Sequence, residues 1–197
     1  MPKLWSDALS VPPAIEPVST EDARRNCDLD DDYRDSDLRL WIVEAREQVE
    51  HDARVALITQ TRVLKFDCWS NWIKMAAVSP VASITSIAYT DTAGASQTLS
   101  TDVYGTDLSS APAAIYIKYN QSWPELYDQP RSISITYVAG YGSTAETVPA
   151  AARSAILMLV RHRFDMPELV AAGGRNAVLV PLGYQAQIDK LRGGTYP

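Results

Sequence analysis

The stretch SISITYVAGYGSTAETVPAAARSAILMLV, residues 132–160, reads as a strand, a turn and a helix in immediate succession. Ile133, Ile135 and Tyr137 alternate with Ser132, Ser134, Thr136 and Val138, the period of two expected of a strand with one face on a core. Ala139, Gly140, Tyr141, Gly142 and Ser143 then break the strand. Pro149 suits the first turn of a helix, where its missing N–H costs nothing. The helix runs from Ala150, and its positions Ala155, Ile156, Leu157, Met158, Leu159 and Val160 are six in a row without a polar residue. A helix apolar around its circumference is covered on more than one side. The expectation is that one side packs on the chain's own fold and another on a neighbouring subunit, which nominates Ile156, Leu157, Met158 and Val160 as subunit contacts.

Working outward, residues 1–18 hold Pro2, Pro12, Pro13 and Pro17 and read as an extended arm. Ser19, Thr20, Glu21 and Asp22 give a helix start, with hydroxyls at the cap and acids in the first turn. That helix is short and ends near Cys27. A second helix is predicted over 36–56, because Leu38, Ile42, Ala45, Val49 and Ala53 recur at steps of three and four, with Trp41 widening the stripe. Its other face carries Glu44, Glu47, Glu50 and Arg54, and Glu50 with Arg54 is a favourable i,i+4 pair.

From residue 58 the texture turns to β. Residues 58–66, 84–89, 97–99, 115–119 and 132–138 read as strands, and Asp91, Thr92, Ala93, Gly94 and Ala95 as a hairpin turn. A last helix is predicted over 182–191, after a tail with Pro167, Gly173 and Gly174 and the run Val178, Leu179, Val180, Pro181. The layout is α+β: a helical core of about four helices (19–57 and 146–192) with an inserted antiparallel β domain (58–145). Residues 193–197 form a mobile end.

The composition narrows the function classes. The chain has 197 residues and a net charge of -6, from 24 acidic and 18 basic side chains. Only five lysines are present, Lys3, Lys65, Lys74, Lys118 and Lys190, and no basic cluster offers the phosphate-neutralising face of a general nucleic-acid binder. The longest apolar run is the helix segment above, far short of the roughly 20 residues that span a bilayer, so no membrane partner is expected. The first twenty residues lack a basic stretch followed by an apolar core and do not read as a secretory signal. Cys27 and Cys68 lack CxxC spacing and read as thiols in a cytosolic product.

No catalytic apparatus assembles from the sequence, and no cofactor or metal is expected. His51 sits on the polar side of the second helix and reads as solvated. His162, between Arg161 and Arg163, suits the negative end of a helix dipole. No HExxH, GxSxG or phosphate-loop pattern occurs. Asp28, Asp30 and Asp32 suggest a calcium loop, but Tyr33 stands where its glycine belongs and Arg39 where its glutamate belongs; the bland reading is an acidic linker capping the second helix. Trp69, Trp72 and Trp123 read equally as exposed binding anchors or as core.

Four stretches carry a resemblance. They are residues 17–23 (PVSTEDA) with the acidic linker, AREQVE at 45–50 running into ALITQT at 56–61, YNQSWP at 119–124, and YVAGYG at 137–142 followed by Val148, Pro149 and the apolar helix. In this order they resemble the head–tail connector (adaptor) proteins of long-tailed bacteriophages and gene-transfer particles, over most of residues 17–165. The resemblance implies a structural, non-catalytic protein of the virion neck, made in the bacterial host cytoplasm. It implies a ring, usually dodecameric, beneath the portal protein, with a tail or stopper protein on the far side and DNA passing through the lumen. On that footing Tyr184, Ile188, Leu191, Arg192 and Tyr196 are candidates for portal docking, and Trp69, Trp72 and Trp123 for loop contacts with neighbours or tail. The alternatives are a small β-rich hydrolase with an unrecognised site and a nucleic-acid-binding module.

Overall fold

The computed structural model describes residues 4–75, 78–110, 112–166 and 182–193. The elements run β1 (Leu4–Val11), α1 (Thr20–Asn26), α2 (Asp35–Ala53), β2 (Gln60–Phe66), β3 (Trp72–Lys74), β4 (Val81–Thr90), β5 (Ser96–Thr98), β6 (Tyr104–Asp107), β7 (Ala114–Ile117), β8 (Ile133–Ala139), a 3-10 turn at Ala145–Thr147, α3 (Ala150–Asp165) and α4 (Leu182–Gly193). The class is α+β. The chain divides into a β unit, Met1–Ala14 with Thr59–Tyr141, and a helical unit, Ile15–Ile58 with Gly142–Pro197.

In the β unit, a five-stranded antiparallel sheet has the order β1-β2-β8-β4-β5. The opening stretch supplies its central strand: Ile133, Ile135, Tyr137 and Ala139 are buried and the residues between them half-buried. Gly140 ends that strand at φ 132°, a region open only to glycine, and donates its N–H to Pro80 O at 3.0 Å.

The segment expected as an extended arm is paired into the sheet. Residues 4–11 are extended, but they form β1, an edge strand paired along β2. The Asp7 carboxylate accepts hydrogen bonds from Arg62 Nε on β2 (2.9 Å) and from Tyr137 Oη on β8 (3.0 Å). Burial, then the neighbouring Asp7 charge, pushes the Tyr137 hydroxyl above the usual phenol range and keeps it a donor.

A three-stranded sheet, β3-β7-β6, completes the β unit, and two of its strands escape the sequence reading. Residues 68–72 read as loop, yet Trp72 opens β3 and lies opposite Tyr116 of β7, its ring stacked at 5.5 Å. On the other side Tyr116 faces Gly105 of β6, where a Cβ would sit 2.6 Å from the tyrosine ring. The glycine is the space the ring lies in.

The helical unit is closed by α1, α2, α3 and α4. Helix α1 carries a full capping box: Asp22 N–H donates to Ser19 Oγ (3.0 Å), and Ser19 N–H donates to the Asp22 carboxylate (3.4 Å). Helix α2 buries the predicted stripe, Leu38, Ile42, Ala45, Val49 and Ala53, and with it Arg46. Glu50 reaches back one turn to Arg46, while Arg54 lies beyond the helix in the left-handed region. The acidic segment does lead α2, with Asp35 and Asp37 in its first turn.

Arg46 has a side chain only 6% exposed, and its guanidinium bonds Glu16 at 2.8 Å and Glu50 at 2.9 Å. The second oxygen of Glu50 accepts the Leu57 N–H at 2.8 Å. One cation therefore ties the segment entering the helical unit (Glu16), helix α2 and the segment leaving it (Leu57). Burial pushes the Glu16 carboxyl above its ordinary value against the pull of Arg46. Removing the guanidinium leaves two carboxylates close together without their cation. Arg46→Ala lowers unfolding free energy by about 3–5 kcal/mol, and Arg46→Lys recovers only part of it because an ammonium cannot fork between two acids. Urea titration of both variants measures this; a loss within error for Arg46→Ala contradicts it.

Candidate assembly surfaces

Helix α3 is covered on more than one side from within the helical unit. Ala152, Ala155, Ile156 and Val160 are buried inside the helical unit. Ile156 and Val160, nominated as subunit contacts, are 0% exposed and serve the chain's own core. Met158 lies against Gly183 of α4, where a Cβ would stand 3.2 Å from the methionine methyl. Leu157 remains half-exposed. The reason is α4, whose own apolar positions supply much of the cover that the sequence assigns to a neighbour.

The same packing takes in three of the residues nominated for portal docking. Tyr184, Ile188 and Leu191 are buried, at 3%, 0% and 6% exposure. Tyr184 Oη donates to the Asp52 carboxylate at 2.7 Å, and Arg192 donates to Asp52 O, so α4 is fastened to the end of α2. Tyr196 lies outside the described residues, as do residues 167–181 and the predicted mobile end from 194. Removing residues 184–197 would therefore strip the helical core, not only a docking segment. The outward side of α4 carries Gln185, Asp189 and Lys190.

The tryptophans separate. Trp69 and Trp123 stack on each other at 4.6 Å and 6°, and Trp69 Nε1 donates to Pro124 O at 3.0 Å. With Tyr89 edge-on to Trp69 at 6.1 Å, they pin the 119–124 loop to the body of the β unit. Trp72 is 49% exposed.

Around α1 and the first half of α3 lies an open groove of about 600 Å³. Pro17, Val18, Ala150 and Leu157 give it apolar walls, and Arg25 and Arg153 give it positive charge. Arg25 is paired with Asp22 at 2.6 Å. Arg153 forms no ion pair among the described residues, and its Nε is buried without a hydrogen-bond partner. Sequence reasoning missed this groove, because α1 and α3 are far apart in the chain. Asn26 fixes their approach by donating to Leu157 O at 3.0 Å, and Arg161 by donating to Asn26 O at 2.8 Å.

Neither histidine sits in a built catalytic arrangement. His51 is 87% exposed, with Nδ1 at 3.3 Å from Asp52. His162 Nε2 is buried without a partner, and the carbonyl of His162 accepts the capping N–H of Met166 at 3.1 Å. Among the described residues no group of three His, Cys, Asp or Glu could hold a metal ion, and no helix is long and apolar enough to cross a membrane.

This arrangement, a helical unit carrying a β unit built from the first strand and the insert, occurs in solved particle structures. A chain in the neck of an empty GTA particle, computed with C6 symmetry, superposes with a TM-score of 0.75 at 18% identity, over 95% of this chain and 95% of that one. The fold is that of a particle-neck chain. A chain in the virion of a native gene transfer agent (GTA) particle gives 0.71 at 19% identity, over 93% and 94% of the two chains. One in the neck of a native GTA particle, computed with C12 symmetry, gives 0.68 at 20%, over 96% and 94%. No family model and no curated protein matches the sequence.

The α4 anchor has a testable pH signature. Burial raises the Asp52 carboxyl, but hydrogen bonds from Gln48, Tyr184 and His51 outweigh it and hold the group below its ordinary value. A carboxyl lowered on folding contributes stability above its unfolded value, and that contribution is lost as pH falls through the folded one. Tyr184→Phe is expected to cost about 1 kcal/mol at neutral pH, shrinking toward zero as pH falls below the ordinary carboxyl value of 3.8 and Asp52 takes up its proton. Denaturant titrations of both proteins across that range check it; a pH-independent difference contradicts the assignment.

Proposed function

We propose that this chain is a structural component of the neck of a phage-like particle, a head–tail adaptor that works as a ring beneath the portal and performs no catalysis. The observation that carries the reading is the fold shared over nearly the whole chain with neck chains of gene transfer agent particles. Two of those necks were computed with rotational symmetry, C6 and C12, as a ring of copies requires.

The surface chemistry agrees. Leu9 and Val11 on the edge strand β1 are 46% and 54% exposed, and Leu40 on α2 is 58% exposed. An edge strand with outward apolar residues is a liability in an isolated chain and an asset in an assembly that covers it. The net charge of -6 suits a channel that DNA traverses without adhering. Docking to the portal falls to the outward side of α4 and the chain beyond it, since Tyr184, Ile188 and Leu191 are occupied within the core. The tail or stopper protein is met by exposed side chains of the β unit such as Trp72 and Tyr119.

Deleting the gene from the producing cell tests the reading. Electron microscopy of the lysate is expected to show assembled heads and separate tails that never join, with joining restored by the gene in trans. Normal numbers of joined particles in the deletion strain would overturn it.

A further inference from the structure

The side chains of residues 30–33, in the acidic turn between α1 and α2, face solvent. Asp30, Asp31, Asp32 and Tyr33 are all exposed, Tyr33 at 70%. The carboxylates of Asp30, Asp31 and Asp32 form no ion pair among the described residues, unlike Asp28, which Arg161 holds at 2.8 Å. An exposed aromatic ring flanked by three carboxylates without an ion pair among the described residues offers a shape and charge that a complementary recess can take.

The groove between α1 and α3 has the matching chemistry. Its apolar wall includes the half-exposed Leu157, and Arg25 and Arg153 stand over it. Arg153 lacks a carboxylate among the described residues, and its buried Nε lacks an acceptor. Among the described residues the groove therefore presents Arg153 without an ion pair, and Arg25 paired with Asp22, beside an apolar surface, and the turn presents carboxylates without ion pairs beside an aromatic ring.

We propose that the acidic turn of one copy, residues 30–33, seats in the α1–α3 groove of the next copy. Tyr33 covers the wall at Leu157, and the Asp31 and Asp32 carboxylates face Arg153 and Arg25. The inference rests on the ring reading above and names its contact. The two halves occupy different places on the helical unit. Arg161 holds Asp28 at the start of the turn, about one helical turn beyond Leu157, and the groove extends from Leu157 back to Ala150. A knob and a socket built from different residues of one chain can form a head-to-tail contact, which closes into a ring when the rotation per copy is right.

The test uses particles made in the producing cell from the chain with Tyr33→p-benzoylphenylalanine, irradiated after purification and mapped by mass spectrometry. The expected crosslinks join position 33 of one copy to the groove of another, at residues 150–157 or 17–26, as a ladder extending past the dimer. Arg153→Asp lowers their yield about tenfold, and Asp31→Arg in the same chain restores it, since a buried interfacial charge pair commonly couples by 1.5 kcal/mol or more. Should the photoreactive chain fail to enter particles, Asp32→Cys with Ser154→Cys in a Cys68→Ser background replaces it, and an intermolecular disulfide is the expected product. Crosslinks to the portal, to another region of a copy, or within one chain overturn the groove contact while leaving the neck assignment standing. Absence of the wild-type chain from particles removes the neck assignment itself.

Discussion

The helical unit depends on one buried cation. The chain leaves and re-enters this unit, so its first pass, residues 15–58, has to be held at both ends as well as along α2. Arg46 does this from the core-facing stripe of α2, where a charge would be expelled unless fully paired. Glu16 supplies a partner from the entering segment, and Glu50 a second that also takes the Leu57 N–H of the leaving segment. The stripe Leu38, Ile42, Ala45, Val49 and Ala53 supplies burial, and burial alone does not fix where the flanking segments run. With those fixed, α1 lies where Asn26 can meet α3, and the groove beside it takes its form.

A second constraint is the division of α3. Six consecutive apolar residues on a helix point in every direction, so no single neighbour can cover them. Within the chain, the core takes Ala155, Ile156 and Val160, Gly183 of α4 receives Met158, and Leu157 is left at the groove. The apolar excess that pointed to a neighbouring copy is thus smaller than the sequence suggests, and it is concentrated beside two arginines.

Periodic patterns were legible in the sequence. Ile133, Ile135 and Tyr137 gave the central strand, Leu38 to Ala53 gave α2, and Ser19 with Asp22 gave the α1 cap, because each is a local pattern with a local cause. Pairings over distance were not. Residues 4–11 read as an arm because prolines follow them, yet Asp7 finds Arg62 and Tyr137 across the sheet. Strands β3 and β6 are too short to show alternation and are defined by Trp72 and Gly105 on either side of Tyr116. Tyr184, Ile188 and Leu191 looked like a free docking face because an amphipathic helix does not disclose in its sequence which surface its apolar side meets. Arg46 was hidden for a related reason: its partners sit thirty residues back and one turn ahead.

The fold shared with chains of particle necks and the turn and groove fit the proposed account, a part whose work is to be surrounded by its own copies. Imaging of particles from the producing cell at side-chain resolution tests that account most directly. It predicts this chain in a closed rotational ring at the head–tail junction, each copy in contact with two identical neighbours and the lumen open to DNA. Density for the chain as an isolated subunit, or its location anywhere other than that junction, would contradict it.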